Sequence, residues 1–311
     1  MDKIVLKQGK VMNDIENKIL KLCKEKNAII LAHNYQRDEV QKIATATGDS
    51  LQLARIAKDS DAEIIVTAGV YFMAETAAIL SPDKKILIPK LEAGCPLAEM
   101  ITKDDILKIK EDYPGYSIVT YVNSTSEVKS ISDIVCTSSN AVNVVNNIEN
   151  NNIFFTPDRN LAQWTIKHSD KNIKFWDGFC PVHQRIDPKY VKKLKKDYSG
   201  SKFVAHPECS PEVLELADYI CSTSGLYKFV SESEAKDFII GTEKGVLYKL
   251  KLENPDKNFL MASDDLVCVN MKKITIESIL EALEKEQYVV SVSDTVRERA
   301  LSAVEKMVNI T

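Results

Sequence analysis

Short apolar runs alternate with amphipathic polar stretches along most of the chain. Ala28 to Ala32 is apolar and ends at His33. A helix follows from about Asp38, then a segment closing in Gly48-Asp49-Ser50, then the amphipathic stretch Leu51 to Lys58. Ile64-Ile65-Val66 reads as a buried strand, Phe72 to Leu80 as a helix, and Ile86-Leu87-Ile88 as a strand leading to the loop of Cys95. The same order returns with Ser117 to Val119, a helix from Glu127, Asp133 to Thr137, Asn140 to Ile148, Ile153 to Phe155, Leu161 to Lys167, Lys174 to Trp176 and Cys180. It returns again with Phe203 to Ala205, Glu212 to Ala217, Asp218 to Cys221, Phe238 to Ile240, Phe259 to Met261 and Cys268. Uninterrupted apolar strands between helices predict parallel sheets covered on both faces, with right-handed crossovers. The expected fold class is α/β: three homologous α/β/α, Rossmann-like units with parallel sheets, set around a pseudo-threefold axis.

The repeat can be aligned residue by residue. His33, Tyr121 and His206 are its anchors, 88 and 85 residues apart. Six residues after each stands a glutamate (Glu39, Glu127, Glu212), and seventeen after each a hydroxyl (Ser50, Ser138, Thr223). Cys95, Cys180 and Cys268 follow the anchors by 62, 59 and 62 residues. A helix with a tyrosine near its end (Tyr113, Tyr198, Tyr288) follows each cysteine. The expected organisation is a helical arm over 1–27, units over 28–116, 117–201 and 202–293, and a closing amphipathic helix over 294–311.

Composition is that of a globular chain, 44% apolar and 28% charged. A net charge of −4 gives no electrostatic reason to expect nucleic acid or an anionic membrane as partner. The N-terminal residues lack the apolar core of a signal peptide, and the stretch Ile64 to Leu80 is too short and mixed to span a bilayer. Seven cysteines, an odd number scattered through a chain of cytosolic character, make a poor disulfide framework and a better thiol or metal inventory. A cytoplasmic location is expected.

In open α/β sheets ligands bind beyond the carboxyl ends of the strands, where the anchors, hydroxyls and cysteine loops all fall. The glutamates suit helix starts: Ser126-Glu127-Val128 and Ser210-Pro211-Glu212 place serine at the cap and acid in the first turn. The hydroxyls suit either capping or, with helix N-terminal amides, an anion carrying carboxylate or phosphate. Cys23, Cys136 and Cys221 fit small buried apolar residues, and Cys209 could line a pocket. One thiolate from each of three equivalent loops suits an iron–sulfur cluster or zinc with one position left open; no compact CxxC supports a zinc ribbon or a ferredoxin-type run.

Several segments, in order, resemble quinolinate synthase: His33-Asn-Tyr-Gln36, Gly48-Asp-Ser50, Tyr121-Val-Asn-Ser124, Thr137-Ser138, Gly178-Phe-Cys180-Pro-Val-His183, His206-Pro-Glu-Cys209 and Cys268-Val-Asn-Met271. The resemblance runs from about residue 30 to beyond 270. It implies three α/β/α units and a [4Fe–4S] cluster on Cys95, Cys180 and Cys268. It also implies condensation of iminoaspartate with dihydroxyacetone phosphate to quinolinate, the precursor of NAD, with loss of phosphate and water. His33, Ser50, Tyr121, Asn123, Ser138, His206, Glu208 and Thr223 are then expected to line the substrate site. Tyr35 and Glu208 are expected to transfer protons, with His33 and His206 orienting substrate or sharing that role. His183 could support the cluster from behind, and His168 reads as surface. Some family members carry CxxCxxC at the third cysteine; here those positions are Asp265, Cys268 and Met271, so that local disulfide is excluded. An aspartate-oxidising enzyme would supply iminoaspartate.

Three other readings share parts of the pattern. The radical-forming family of diphthamide biosynthesis also draws one cysteine from each of three related domains, but the hydroxyl set and the His-Asn-Tyr-Gln and His-Pro-Glu segments argue against it. An iron–sulfur electron carrier or sensor would normally have four protein ligands and little need for a polar pocket. A metal-free binding protein for a phosphorylated metabolite would contain neither iron nor sulfide.

Overall fold

A computed structural model describes residues 13–310, so residues 1–12 of the expected arm and Thr311 lie outside the described residues. Helix α1 (Asp14–Glu25) opens this region behind a capping box of Asn13 and Glu16. The first unit contains β1 (Ala28–His33), α2 (Asp38–Ile43), β2 (Ala46–Gly48), α3 (Ser50–Asp59), β3 (Ile64–Ala68), α4 (Tyr71–Leu80), β4 (Lys85–Leu87) and α5 (Lys103–Asp112). The second contains β5 (Ser117–Tyr121), α6 (Ser126–Lys129), β6 (Ile134–Cys136), α7 (Ala141–Asn147), β7 (Asn152–Thr156), α8 (Arg159–Ile166), β8 (Asn172–Phe175) and α9 (Pro188–Asp197). The third contains β9 (Lys202–Ala205), α10 (Pro211–Leu214), β10 (Tyr219–Ile220), α11 (Thr223–Glu232), β11 (Asp237–Gly241), α12 (Val246–Glu253), β12 (Asn258–Met261) and α13 (Ile276–Lys285). Helix α14 (Asp294–Asn309) follows.

Each unit holds one four-stranded parallel sheet, and the strand order is the same in all three: β2-β1-β3-β4, β6-β5-β7-β8 and β10-β9-β11-β12. The register confirms equivalence, with Ile29 opposite Ile65, Ser117 opposite Ile153 and Lys202 opposite Phe238. The central strands are apolar on both faces because helices cover both; all five residues of β3 are buried. The strand order reverses between the first and third strands of each sheet, and the crevice beyond their carboxyl ends is where ligands collect. His33 ends β1, Tyr121 ends β5 and His206 directly follows β9.

The units share packing. The largest apolar cluster joins Ile30, Val66 and Ile86 of the first unit to Val119, Val135 and Phe155 of the second, and takes in Ile279 of α13 and Val304 of α14. The third sheet carries a cluster on each face, one around Phe203 and Ile239, the other around Phe238 and Ile240. Helix α14 lies against α3, α4, α6 and β6, across the first two units. Arg55 donates to the Val308 carbonyl and Asn140 to that of Met307, fixing this helix to both. Among the described residues no helix is long and apolar enough to cross a membrane.

The helix starts differ in detail from the sequence expectation. Thr125, not Ser126, caps α6, accepting the Val128 N–H at 3.3 Å. Ser126 has turned to Glu75, donating to its carboxylate at 2.6 Å. Glu39, Glu127 and Glu212 all lie in first turns and none lines the central cavity, as capping residues should.

Candidate active site

The strand ends of all three sheets open into one cavity. Every residue expected to bind substrate, transfer protons or hold the cluster lines it: His33, Tyr35, Ser50 and Cys95 from the first unit, Tyr121, Asn123, Ser138 and Cys180 from the second, His206, Glu208, Thr223 and Cys268 from the third; Cys209, a possible pocket residue from the sequence, does not. The repeat continues two residues past each anchor, where Tyr35, Asn123 and Glu208 occupy one equivalent position and all reach the cavity.

The two histidines are held alike. The Tyr35 backbone N–H donates to His33 Nδ1 at 3.1 Å, and the Glu208 backbone N–H donates to His206 Nδ1 at 3.3 Å. A ring nitrogen that accepts cannot carry the proton, so each imidazole keeps it on Nε2. His206 Nε2 then donates to Ser138 Oγ at 3.1 Å. Burial lowers His33 to about 4 against the pull of Asp49 and Glu208, and lowers His206 to about 3. Both rings are therefore neutral donors at neutral pH.

The hydroxyls are not spent on capping. Asp49 caps α3 and Ser222 caps α11, so Ser50 and Thr223 are the first helical residues. Asn34 Nδ2 donates to Thr223 Oγ1 at 2.8 Å, and the Asn34 carboxamide oxygen is left without a partner. Thr223 and Ser138 thus each accept from a neighbour and retain an O–H to donate.

Glu208, a residue whose position past a strand end suits a solvated carboxylate, is only 3% exposed. Its Oε2 lies 2.7 Å from His183 Nδ1, off the line of an ideal hydrogen bond, and 3.8 Å from His206 Nδ1. Burial raises its pKa, but His183, His206 and the donating hydroxyl of Tyr121 outweigh that and hold it at about 2. On the far side of His183, Nε2 meets Thr242 Oγ1 at 2.9 Å, and Thr242 Oγ1 meets the Tyr35 hydroxyl at 2.6 Å. A hydrogen-bonded wire therefore runs from Tyr35 through Thr242 to His183, whose Nδ1 lies beside Glu208 Oε2. Burial, then the charge of Glu208, keeps the Tyr35 phenol well above its usual range and hence protonated. Thr242 escaped sequence reasoning because its repeat equivalents are Gly69 and Pro157, which carry no matching group.

Two buried carboxylates fix cysteine loops. Asp158 Oδ2 accepts the Cys180 N–H at 3.2 Å, and Glu243 Oε1 accepts the Cys268 N–H at 3.1 Å while pairing with Lys272. Burial pushes the Cys95 thiol up to about 12 and that of Cys180 well above the usual range. Burial disfavours a bare thiolate at these sulfurs, and a bound metal is a group that would stabilise one. All seven cysteines are free, and Cys23, Cys136, Cys209 and Cys221 lie outside the cavity lining. Cys180, His183 and Glu208 also place one ligand atom each within 4.8 Å of one another, a possible metal-binding group.

Comparison with known proteins agrees with this geometry. The family described as "Quinolinate synthetase A protein" matches residues 17–309. "Quinolinate synthase" of Geobacter metallireducens is 52% identical over 296 residues, covering 95% of this chain and 97% of the relative. "Quinolinate synthase 2" of Methanosarcina acetivorans is 50% identical over 307 residues, 98% and 99% of the two chains. "Quinolinate synthase" of Thermodesulfovibrio yellowstonii is 48% identical over 301 residues, 96% and 99%. With three equivalent sheets opening into one cavity and matches over nearly its whole length, the chain belongs to the quinolinate synthetase A family and is an enzyme of the quinolinate synthase type.

Proposed function

We propose that the enzyme condenses iminoaspartate with dihydroxyacetone phosphate to give quinolinate, phosphate and two waters, as a cytoplasmic step of NAD biosynthesis. The observation that carries this reading is the convergence of three kinds of group from three units on one cavity: hydroxyl and imidazole donors, a proton wire, and three thiols. The donors suit substrates rich in carboxylate and phosphate. Ser138, Thr223 and the Nε2–H of His33 bind them, with His206 holding Ser138 and with Ser50, Tyr121 and Asn123 joining from the same lining.

The chemistry requires repeated proton transfers, since it includes tautomerisation, imine formation and dehydration. Tyr35 and Glu208 are the groups for that task. When substrate gives a proton to the Tyr35 oxygen, the phenolic proton passes to Thr242 and the threonine proton to His183 Nε2, leaving an imidazolium that the adjacent Glu208 carboxylate stabilises. The reverse passage makes Tyr35 an acid. Neutral His33 and His206 orient the substrate without adding a charge.

Cys95, Cys180 and Cys268 fit the three-thiolate ligand set of a [4Fe–4S] cluster: they are free, half-buried, and drawn from equivalent loops into one cavity. Such a cluster, with one iron unligated by protein, supplies a Lewis acid for a carboxylate, nitrogen or departing hydroxyl. A single ion on Cys180, His183 and Glu208 is the second reading, and iron and sulfide analysis separates the two. An aspartate-oxidising enzyme is the expected source of the unstable iminoaspartate.

The test is an anaerobic assay of cluster-loaded protein with dihydroxyacetone phosphate and freshly generated iminoaspartate. Quinolinate identified by chromatography and mass, formed only with both substrates, supports the reading. Its absence from protein with full iron and sulfide content rejects it.

A further inference from the structure

One carboxylate faces the cavity without belonging to the proton wire or to a cysteine loop. Asp49 lies sixteen residues after His33, the position held by Thr137 after Tyr121 and by Ser222 after His206. Each of the three directly precedes one of the recurrent hydroxyls. Asp49 Oδ1 accepts the Gln52 N–H at 3.0 Å and caps α3. Its Oδ2 accepts the Ser139 hydroxyl at 2.8 Å and the Ser222 hydroxyl at 3.4 Å. Gln52, Ser139 and Ser222 come from the first, second and third units. Ser222 in turn caps α11 through the Gly225 N–H at 3.4 Å. One side chain, 6% exposed, therefore ties together the three turns that present Ser50, Ser138 and Thr223.

The charge of this residue works against an anionic ligand. Among the described residues no lysine, arginine or histidine lies within ion-pair distance of Asp49. Electrostatics alone would favour a neutral residue beside a pocket for carboxylate and phosphate. Geometry gives the carboxylate a different use, because only an acceptor with two oxygens can take one backbone N–H and two hydroxyls at once.

We propose that Asp49 is a positioning residue that sets the mutual spacing of Ser50, Ser138 and Thr223 across the three units. The proposal rests on the reading of those hydroxyls as holders of the substrate's anionic groups. Asp49→Asn separates the two influences. It keeps the size of the side chain and the capping oxygen, removes the charge, and replaces the second acceptor with a donor.

The experiment is calorimetric titration of cluster-loaded protein with quinolinate. Positioning predicts that Asp49→Asn weakens binding by on the order of tenfold, the scale of a lost hydrogen bond to a charged group. Ser139→Ala should weaken it in the same direction, and the two substitutions together should do less than the product of their separate effects. Unchanged or tighter binding in Asp49→Asn overturns the proposal, because removal of charge alone gives that result. Ser50→Ala and Thr223→Val report on the underlying reading. If neither weakens quinolinate binding, the hydroxyls do not hold the anion and both readings fall. If they weaken it and Asp49→Asn does not, only the role of Asp49 falls. Should Asp49→Asn fail to fold, Ser139→Ala decides: it removes one hydroxyl contact and leaves the cap intact, and wild-type affinity in it overturns the proposal.

Discussion

Replacing Tyr35 with phenylalanine removes one oxygen and leaves the packing in place. The ring meets that of His33 edge-on, with centroids 4.6 Å apart, and this contact needs no hydroxyl. What disappears is the 2.6 Å bond to Thr242, which keeps its other partner, His183 Nε2. A neutral pair of this kind contributes about 1 kcal/mol to folding, so the thermal midpoint should fall by only about 2–4 °C. Turnover should suffer far more. A positioned acid–base group is worth about 10²–10⁴ in rate, roughly 3–5 kcal/mol of barrier. The assay is anaerobic single-turnover formation of quinolinate by cluster-loaded protein, with Thr242→Val alone and combined with Tyr35→Phe. Because both residues belong to one wire, the double variant should be little slower than Tyr35→Phe alone. Wild-type turnover in Tyr35→Phe, or losses that multiply in the double variant, would refute the wire.

Three further outcomes are expected. Cys95→Ser, Cys180→Ser or Cys268→Ser should each abolish the cluster absorption and lower iron and sulfide content, whereas Cys23→Ser and Cys136→Ser should not; full iron and sulfide in any of the first three would overturn the ligand assignment. Burial holds His33 at about 4 and His206 at about 3, below the value of about 6.5 in an unfolded chain. The unfolded chain therefore binds protons first as pH falls, so stability that is complete above about pH 6.5 is lost toward about pH 4. Denaturant unfolding of the apoprotein at about pH 5 should give a free energy on the order of 4 kcal/mol below that at about pH 7.5, and a flat profile would exclude the two histidines as its cause. Finally, a Cβ at Gly245 would stand 2.6 Å from the Tyr35 carbonyl carbon and 2.8 Å from Glu243 Oε2. Gly245→Ala should thus displace the turn carrying Tyr35 and cut turnover by more than tenfold, with unaltered kinetics as the contrary result.

Much of the site was legible because the chain states its geometry three times. Apolar periodicity located the strands, and equal offsets from His33, Tyr121 and His206 picked out hydroxyls and cysteines that share one cavity. Residues used once, in one unit, left no such trace. Thr242 and His183 complete a wire that crosses from the third unit to the second, and their repeat equivalents Gly69, Pro157, Ala98 and Met271 offer nothing comparable. Asp158 and Glu243 carry no repeated signal in the sequence, and their role follows from their partners, the N–H groups of Cys180 and Cys268. Capping was misassigned at α6, since a threonine beside a serine gives no sequence reason to prefer either. Whether Ser50 and Thr223 cap or bind depends on which of two adjacent polar residues takes the N–H, and in the fold Asp49 and Ser222 take it.

The placement of α14 carries a consequence for how the protein is made. This helix is packed across the first two units and is pinned to Arg55, a residue 253 positions earlier than its partner Val308. A ribosome therefore exposes two complete sheets, and then a third, before the segment that seals the first pair has been synthesised. Until then the apolar surface around Ile134, Val135 and Phe72 lacks the cover of Val304 and Met307. The nascent chain must spend the translation time of the whole third unit with that seam open, an interval in which the uncovered apolar surface is accessible to chaperones and proteases.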